Sequence, residues 1–136
     1  MKHNMFREFA LIAVAALALA ACGNNPDAPE ITLTEVGHEN SRVAVAGDEM
    51  HLEADIEAEG LVKMISLHIN DEEHNSYRLD TVFADGKYVG VRNVEFHEHI
   101  DIPSSCTPGR YKLRLAVLDQ EGQTTEASDH FNVVIQ

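Results

Sequence analysis

Seven histidines follow residue 22 of this chain: His38, His51, His68, His74, His97, His99 and His130. Imidazole is the commonest protein ligand for zinc and copper, and it changes charge near neutral pH. His97 and His99 lie in a segment where Val94, Phe96, Ile100 and Ile102 alternate with Glu95, His97, His99 and Asp101. Residues i and i+2 of an extended strand face the same way, roughly 6.5–7 Å apart, so both rings can reach one ion. His51 occupies the polar parity of another alternating segment, beside Glu53. His68 and His74 flank a polar loop further along. Imidazole and carboxylate ligands suit zinc or copper, with Zn–N near ~2.0–2.1 Å. Three histidines leave a coordination position open, whereas four ligands close the site.

Two ligand sets follow from the spacing. In an immunoglobulin-like sandwich the strand bearing His51 neighbours the strand bearing His97 and His99. Opposed residues on paired strands sit about 4.5–5.5 Å apart, so His51, His97 and His99, helped by Glu53 or Glu95, would share one outer sheet face. In the second set His68 joins His97 or His99 around an edge or an end of the sandwich, with His74 reaching across. The spacing does not choose between them. A His-x-His pair is a weak signal by itself. Its competing readings are exposed polar residues on strand faces, and a cluster that responds to pH.

The elements that must position these residues read as strands separated by turns. Met50, Leu52, Ala54, Ile56 and Ala58 alternate with His51, Glu53, Asp55, Glu57 and Glu59, giving one buried and one wet face. A helix would scatter those charges around its surface, so the period outweighs the helix propensity of Glu and Ala. Ile31 to Val36 alternates until Glu35 breaks the apolar series, and Lys63 and Glu98 break two others. Tyr111, Leu113, Leu115 and Val117 share one side of a strand whose other side carries Lys112 and Arg114. About seven short strands, with turn signals every 8–12 residues or so, predict an all-β, immunoglobulin-like β-sandwich over residues 31–136. The run Gly109 to Gly122 resembles the penultimate hairpin of immunoglobulin-like and fibronectin-like domains.

The first residues predict an address. Lys2 and Arg7 precede an apolar run from Phe9 to Ala21, which ends at Leu19-Ala20-Ala21-Cys22. The run is shorter than the ~20 residues that span a bilayer, and small residues lead into the cysteine. Residues 1–21 therefore read as a lipoprotein signal peptide, Cys22 as the lipidated residue, and 22–30 as lipidated cysteine plus spacer. Gly23 after the cysteine favours an outer-membrane destination, facing the periplasm or the surface. Cys106 then remains the single free thiol, either in a loop or as a small buried hydrophobe.

Composition excludes several classes of function. The chain holds 23 acidic and 10 basic residues, a formal charge of −13, with no basic patch interleaved with aromatics. Nucleic acid phosphates would repel such a chain. There is no Gly-x-Ser-x-Gly elbow, no His-Glu-x-x-His motif and no glycine-rich phosphate loop, so no enzyme is expected.

The lipobox, His68-Ile69-Asn70-Asp71-Glu72-Glu73-His74, Phe96-His97-Glu98-His99-Ile100-Asp101-Ile102-Pro103 and the strand from Gly109 together resemble a Bacteroidota lipoprotein family, domain of unknown function 4625. The resemblance covers roughly residues 26–136. It implies an immunoglobulin-like fold and a Gram-negative envelope location, with no established activity. The combined expectation is a lipid-anchored envelope binding module, with His97, His99, His51, His68 and His74 as candidate ligands for zinc or copper. The alternative is a non-catalytic adhesion or assembly module that binds an envelope protein.

Overall fold

The computed structural model describes residues 25–136. The expected signal peptide and the lipidated Cys22 lie outside these residues. Eight strands follow in order: β1 (Glu30–Val36), β2 (Val43–Val45), β3 (Glu49–Glu57), β4 (Val62–Asp71), β5 (Arg78–Phe83), β6 (Asn93–Asp101), β7 (Gly109–Asp119) and β8 (Thr124–Val134). Two short 3-10 turns, His38–Asn40 and Gly86–Tyr88, complete the elements. The strands form a three-stranded sheet, β1-β3-β6, and a five-stranded sheet, β2-β8-β7-β4-β5. Every pair is antiparallel except β2 with β8.

This order is that of the immunoglobulin-like sandwich. β1, β3 and β6 take the places of strands A, B and E, while β8, β7 and β4 take those of G, F and C. β5 joins the second sheet beside β4. The Tyr111 hydroxyl donates to the Thr107 carbonyl (2.8 Å), which reproduces the tyrosine corner at the start of the F strand. The sequence predicted about seven strands. Eight are present, and the short piece expected over Arg42 to Ala46 is β2, whose three residues lie parallel to the end of β8.

The core lies between the sheets and follows the expected alternation. Met50, Leu52, Ala54 and Ile56 of β3 are buried, as are Tyr111, Leu113, Leu115 and Val117 of β7. Cys106 is a free, buried thiol, so it packs as a small hydrophobe.

Each of the three breaks in alternation has a local cause. In β1 the register moves from Leu33 opposite Ala54 to Glu35 opposite Glu53, which makes Thr34 a bulged residue. One extra residue reverses the faces, so Glu35 points out while Val36 is fully buried. A similar shift between Val62 and Met64 leaves Lys63 exposed. Glu98 keeps the inward parity but stands on the open edge of β6. There the Tyr88 hydroxyl, which accepts the His97 N–H (3.2 Å), lies 2.8 Å from the Glu98 carboxylate and 2.9 Å from the His97 carbonyl. Tyr88 thus satisfies backbone groups that a missing neighbour strand would otherwise have paired.

Candidate functional site

β3 and β6 pair in a register that sets His51 opposite His99 and Glu53 opposite His97. All four side chains leave the outer face of the three-stranded sheet, because their chain neighbours Leu52 and Phe96 point into the core. The rings gather closely. His51 and His99 have centroids 4.3 Å apart, and His97 and His99 stack 5.2 Å apart with their planes within 8°.

Each of the three rings is oriented by its own carboxylate through Nδ1. His97 meets Glu53 at 2.8 Å, His99 meets Glu49 at 2.9 Å, and His51 meets Glu35 at 3.2 Å. The His99–Glu49 contact has hydrogen-bond geometry, and since an ionised carboxylate only accepts, it puts the His99 proton on Nδ1. The Nε2 atoms of His97 and His99 then face each other at 3.2 Å. Two arrangements place two imidazole nitrogens this close: a hydrogen bond in which one ring carries its proton at Nε2 and donates to the other, or a metal ion held by both. A tetrahedral zinc with ~2.0–2.1 Å bonds would hold two nitrogens about 3.3 Å apart, close to the observed separation. Carboxylate at Nδ1 with metal at Nε2 is also the usual outer-shell arrangement of zinc-bound histidine.

The third donor is not in place. Among the described residues no three His, Cys, Asp or Glu side chains converge as a ready metal cage. The His51 ring lies beside the pair, and a side-chain rotation would have to bring its Nε2 to a common point with theirs.

The surroundings favour cations. Glu49, Glu53, Asp55 and Glu57 on β3 and Glu95 and Asp101 on β6 share the outer parity with the histidines. An open groove of about 320 Å³, lined by Thr34, Glu53, Asp55, Glu95 and His97 among others, runs beside the pair. Carboxylates in such a groove concentrate positive ions by their summed field.

Three participants were not assigned from the sequence. Glu49 lies one residue before the expected start of its strand. Glu35 reaches the site only through the bulge at Thr34, although the broken alternation marked the place. His38 sits edge-on to His51 at 5.6 Å, carried there by the turn after β1. That turn needs Gly37, whose φ is +79° and where a Cβ would meet the Val43 carbonyl at 2.8 Å. The Asn40 side chain closes it by accepting the Val36 N–H (3.0 Å).

The second ligand set is not assembled. His68 projects from β4 on the outer face of the opposite sheet, where it is hydrogen-bonded to Asp80, itself held by Arg78 (2.6 Å). Those two partners also draw the Asp80 carboxyl below its usual range, His68 more than Arg78. His74 sits in the β4–β5 loop, 3.6 Å from Asp71. No ring contact or hydrogen bond joins either to His97 or His99 among the described residues. The core stands between the two sheets' outer faces, so no ordinary side-chain movement on β4 brings His68 around.

Asp71 organises that loop. Burial alone would raise its carboxyl. The Ser76 hydroxyl and the N–H groups of His74, Glu73 and Ser76 outweigh burial and bring it down to about 2. A carboxyl held below its unfolded value adds stability above that value and loses it on acidification. The loss should fall between the ordinary 3.8 and about 2. Asp71→Asn is expected to lower Tm by roughly 5 °C or more at pH 7, with a smaller deficit near pH 2.5. Circular-dichroism melts at the two pH values check both the size and the convergence.

A family profile described as a domain of unknown function, DUF4625, matches residues 20–134. The chain belongs to this family. No curated protein matches it in sequence. Among solved structures, OgpA from Akkermansia muciniphila, crystallised with an O-glycopeptide substrate, superposes with a TM-score of 0.55 at 14% identity. The match covers 79% of this chain and 30% of OgpA, so the chain spans less than a third of that protein. Spo0M, a sporulation control protein from Bacillus subtilis, gives 0.48 at 11% identity over 82% of this chain and 50% of its own. Murine CRIg gives 0.42 at 7% identity, covering 81% of this chain and 99% of its own. The OgpA superposition supports the β-sandwich fold and nothing further.

Proposed function

We propose that this domain is a lipid-anchored, non-catalytic binding module of the Gram-negative envelope that holds zinc or copper on the outer face of its three-stranded sheet. His97 and His99 supply the first two ligands and His51 the third, with Glu53, Glu49 and Glu35 orienting the rings. The observation that carries this reading is the 3.2 Å approach of the two Nε2 atoms while both Nδ1 atoms face carboxylates. A three-histidine set leaves one position for water or for a donor from a partner protein. The anchor rests on Cys22 and the residues before it, and an outer-membrane address rests on Gly23.

Calorimetric titration of the purified chain with zinc, then copper, tests the metal. One ion per chain bound at micromolar concentration supports the reading, and uptake only at millimolar metal overturns it.

A further inference from the structure

The N-terminal chain is docked at one end of the sandwich. The Gln123 side-chain amide donates to the Pro26 carbonyl (2.8 Å), and the Asp27 N–H donates to Glu59 (3.1 Å). Glu59 lies in the β3–β4 turn and Gln123 in the β7–β8 hairpin. These turns touch each other through the Gln120 N–H, which donates to the Leu61 carbonyl (2.9 Å). Cys22 precedes Pro26 by only four residues, a reach of at most ~14 Å when fully extended. A lipid on Cys22 therefore leaves this end little freedom to move away from a bilayer.

The same end carries an apolar corner. Leu61 and Val91, each 38% exposed, lie at this end, and Val82, 55% exposed, stands partway up β5, about four residues along the sheet; they are three of the six exposed large hydrophobic residues described. Val91 lies against the start of β4, where its carbonyl accepts the Val62 N–H (3.0 Å). Met64 and Leu118 face each other across β4 and β7 on the adjoining outer face and are half-buried. Val82 stands opposite Ser66, the next outward residue of β4 after Met64. Leu61 holds a φ of +64°, a strained value for leucine that places an apolar side chain at the tip of a turn. Three cationic side chains border the corner. Lys63 is the bulged residue of β4, Lys87 lies 4.8 Å over the Tyr88 ring, and Arg92 pairs with Glu57 at 3.3 Å. Asp27, Glu59, Asp85 and Glu121 lie at the same end, so the corner suits zwitterionic lipid better than anionic lipid.

We propose that the Leu61–Val82–Val91 corner, bordered by Lys63 and Lys87, seats on the bilayer surface and stands the sandwich upright on its lipid. The proposal rests on the lipid-anchor reading above. An apolar patch with lysines at its border, placed where a tether begins, suits an interfacial contact, and the carboxylates at the same end direct it to a zwitterionic surface. One acyl-type signal plus a surface contact holds an orientation that a tether alone leaves free. Upright, the domain presents the histidine face to water on the other sheet: His51 is six residues along β3 from Glu57, about 20 Å, and His97, opposite Glu53, about 13 Å. A partner completing the metal site would then approach from the aqueous side and not from within the membrane.

The test uses the full chain made in a Gram-negative host, with mass spectrometry reading acylation of the mature protein. The acylated chain is placed in phosphatidylethanolamine–phosphatidylcholine vesicles containing a lipid-borne quencher. An environment-sensitive dye is attached through Val82→Cys or, at the opposite end, through Ile135→Cys. The unsubstituted chain, whose remaining thiol is the buried Cys106, sets the background. Severalfold stronger quenching at 82 than at 135 is expected, and Leu61→Asp with Val91→Asp should abolish the difference. Equal quenching at both positions in acylated protein overturns the seating while leaving the anchor intact. A difference that survives the double substitution overturns the role of the apolar corner. A mature chain without acyl mass overturns the anchor reading and this proposal together.

Discussion

Replacing His97 and His99 together by alanine is expected to abolish zinc uptake at any concentration short of millimolar. Each histidine in a structural zinc site contributes roughly 2.5–4 kcal/mol, so the loss of two lowers affinity by about four orders of magnitude or more. The fold should survive, because both side chains point to solvent and Tyr88 bonds the backbone of His97, not its ring. Glu53→Gln and Glu49→Gln should each cost less, about 10–100-fold, since glutamine keeps an acceptor for Nδ1 but lacks the charge. His68→Ala and His74→Ala should change nothing measurable in zinc affinity. Competition with a colour-forming chelator ranks all five variants in one experiment. Unchanged affinity in the double variant would sink the metal site, and a loss on His68→Ala would mean that another face binds.

The largest effect on stability is expected from Phe96→Ala. Phe96 is buried between His97 and Glu95 on β6, with ring centroids 5.0 Å from Tyr88 and 5.4 Å from Phe83. Tyr88 and Phe83 belong to segments that are not hydrogen-bonded strand neighbours of β6, so this aromatic cluster is what ties the edge of one sheet to the other. Removing a buried phenyl ring costs about 3–5 kcal/mol. For a domain of this size that is a fall in Tm of roughly 12–20 °C. Loss of the cluster should also free the Tyr88 hydroxyl from its contacts with His97 and Glu98. A melt with a shift below a few degrees would show that the cluster closes around the gap.

Most of the fold was legible in the alternation of residues. Met50 to Ile56 and Tyr111 to Val117 repeat every two residues, and only a strand with one buried face satisfies that repeat. The site was legible in part. His97 and His99 share a face because of the same repeat, and the pairing of their strand with that of His51 follows from the sandwich order. Glu35 was not legible as a participant, because a bulge reverses sidedness without leaving any residue type as its mark. His38 depends on a turn whose course is set by Gly37 and Asn40. Lys63 and Glu98 looked like defects in a pattern, and each turned out to be a place where a bulge or an open edge relaxes it.

The sequence by itself determined which side chains face water along the unbroken strands, because strand geometry is local and its period is two; at the bulges of β1 and β4 it did not. It also determined the acidic character of the surface and the choice of imidazole as the chemistry on offer. Tertiary structure decided which histidines meet. Meeting depends on which strands pair, in what register, and on which of two outer faces a strand ends up. Those are set by packing between residues far apart in the chain, and so His51 joins His97 and His99 while His68 stands on the other side of the core.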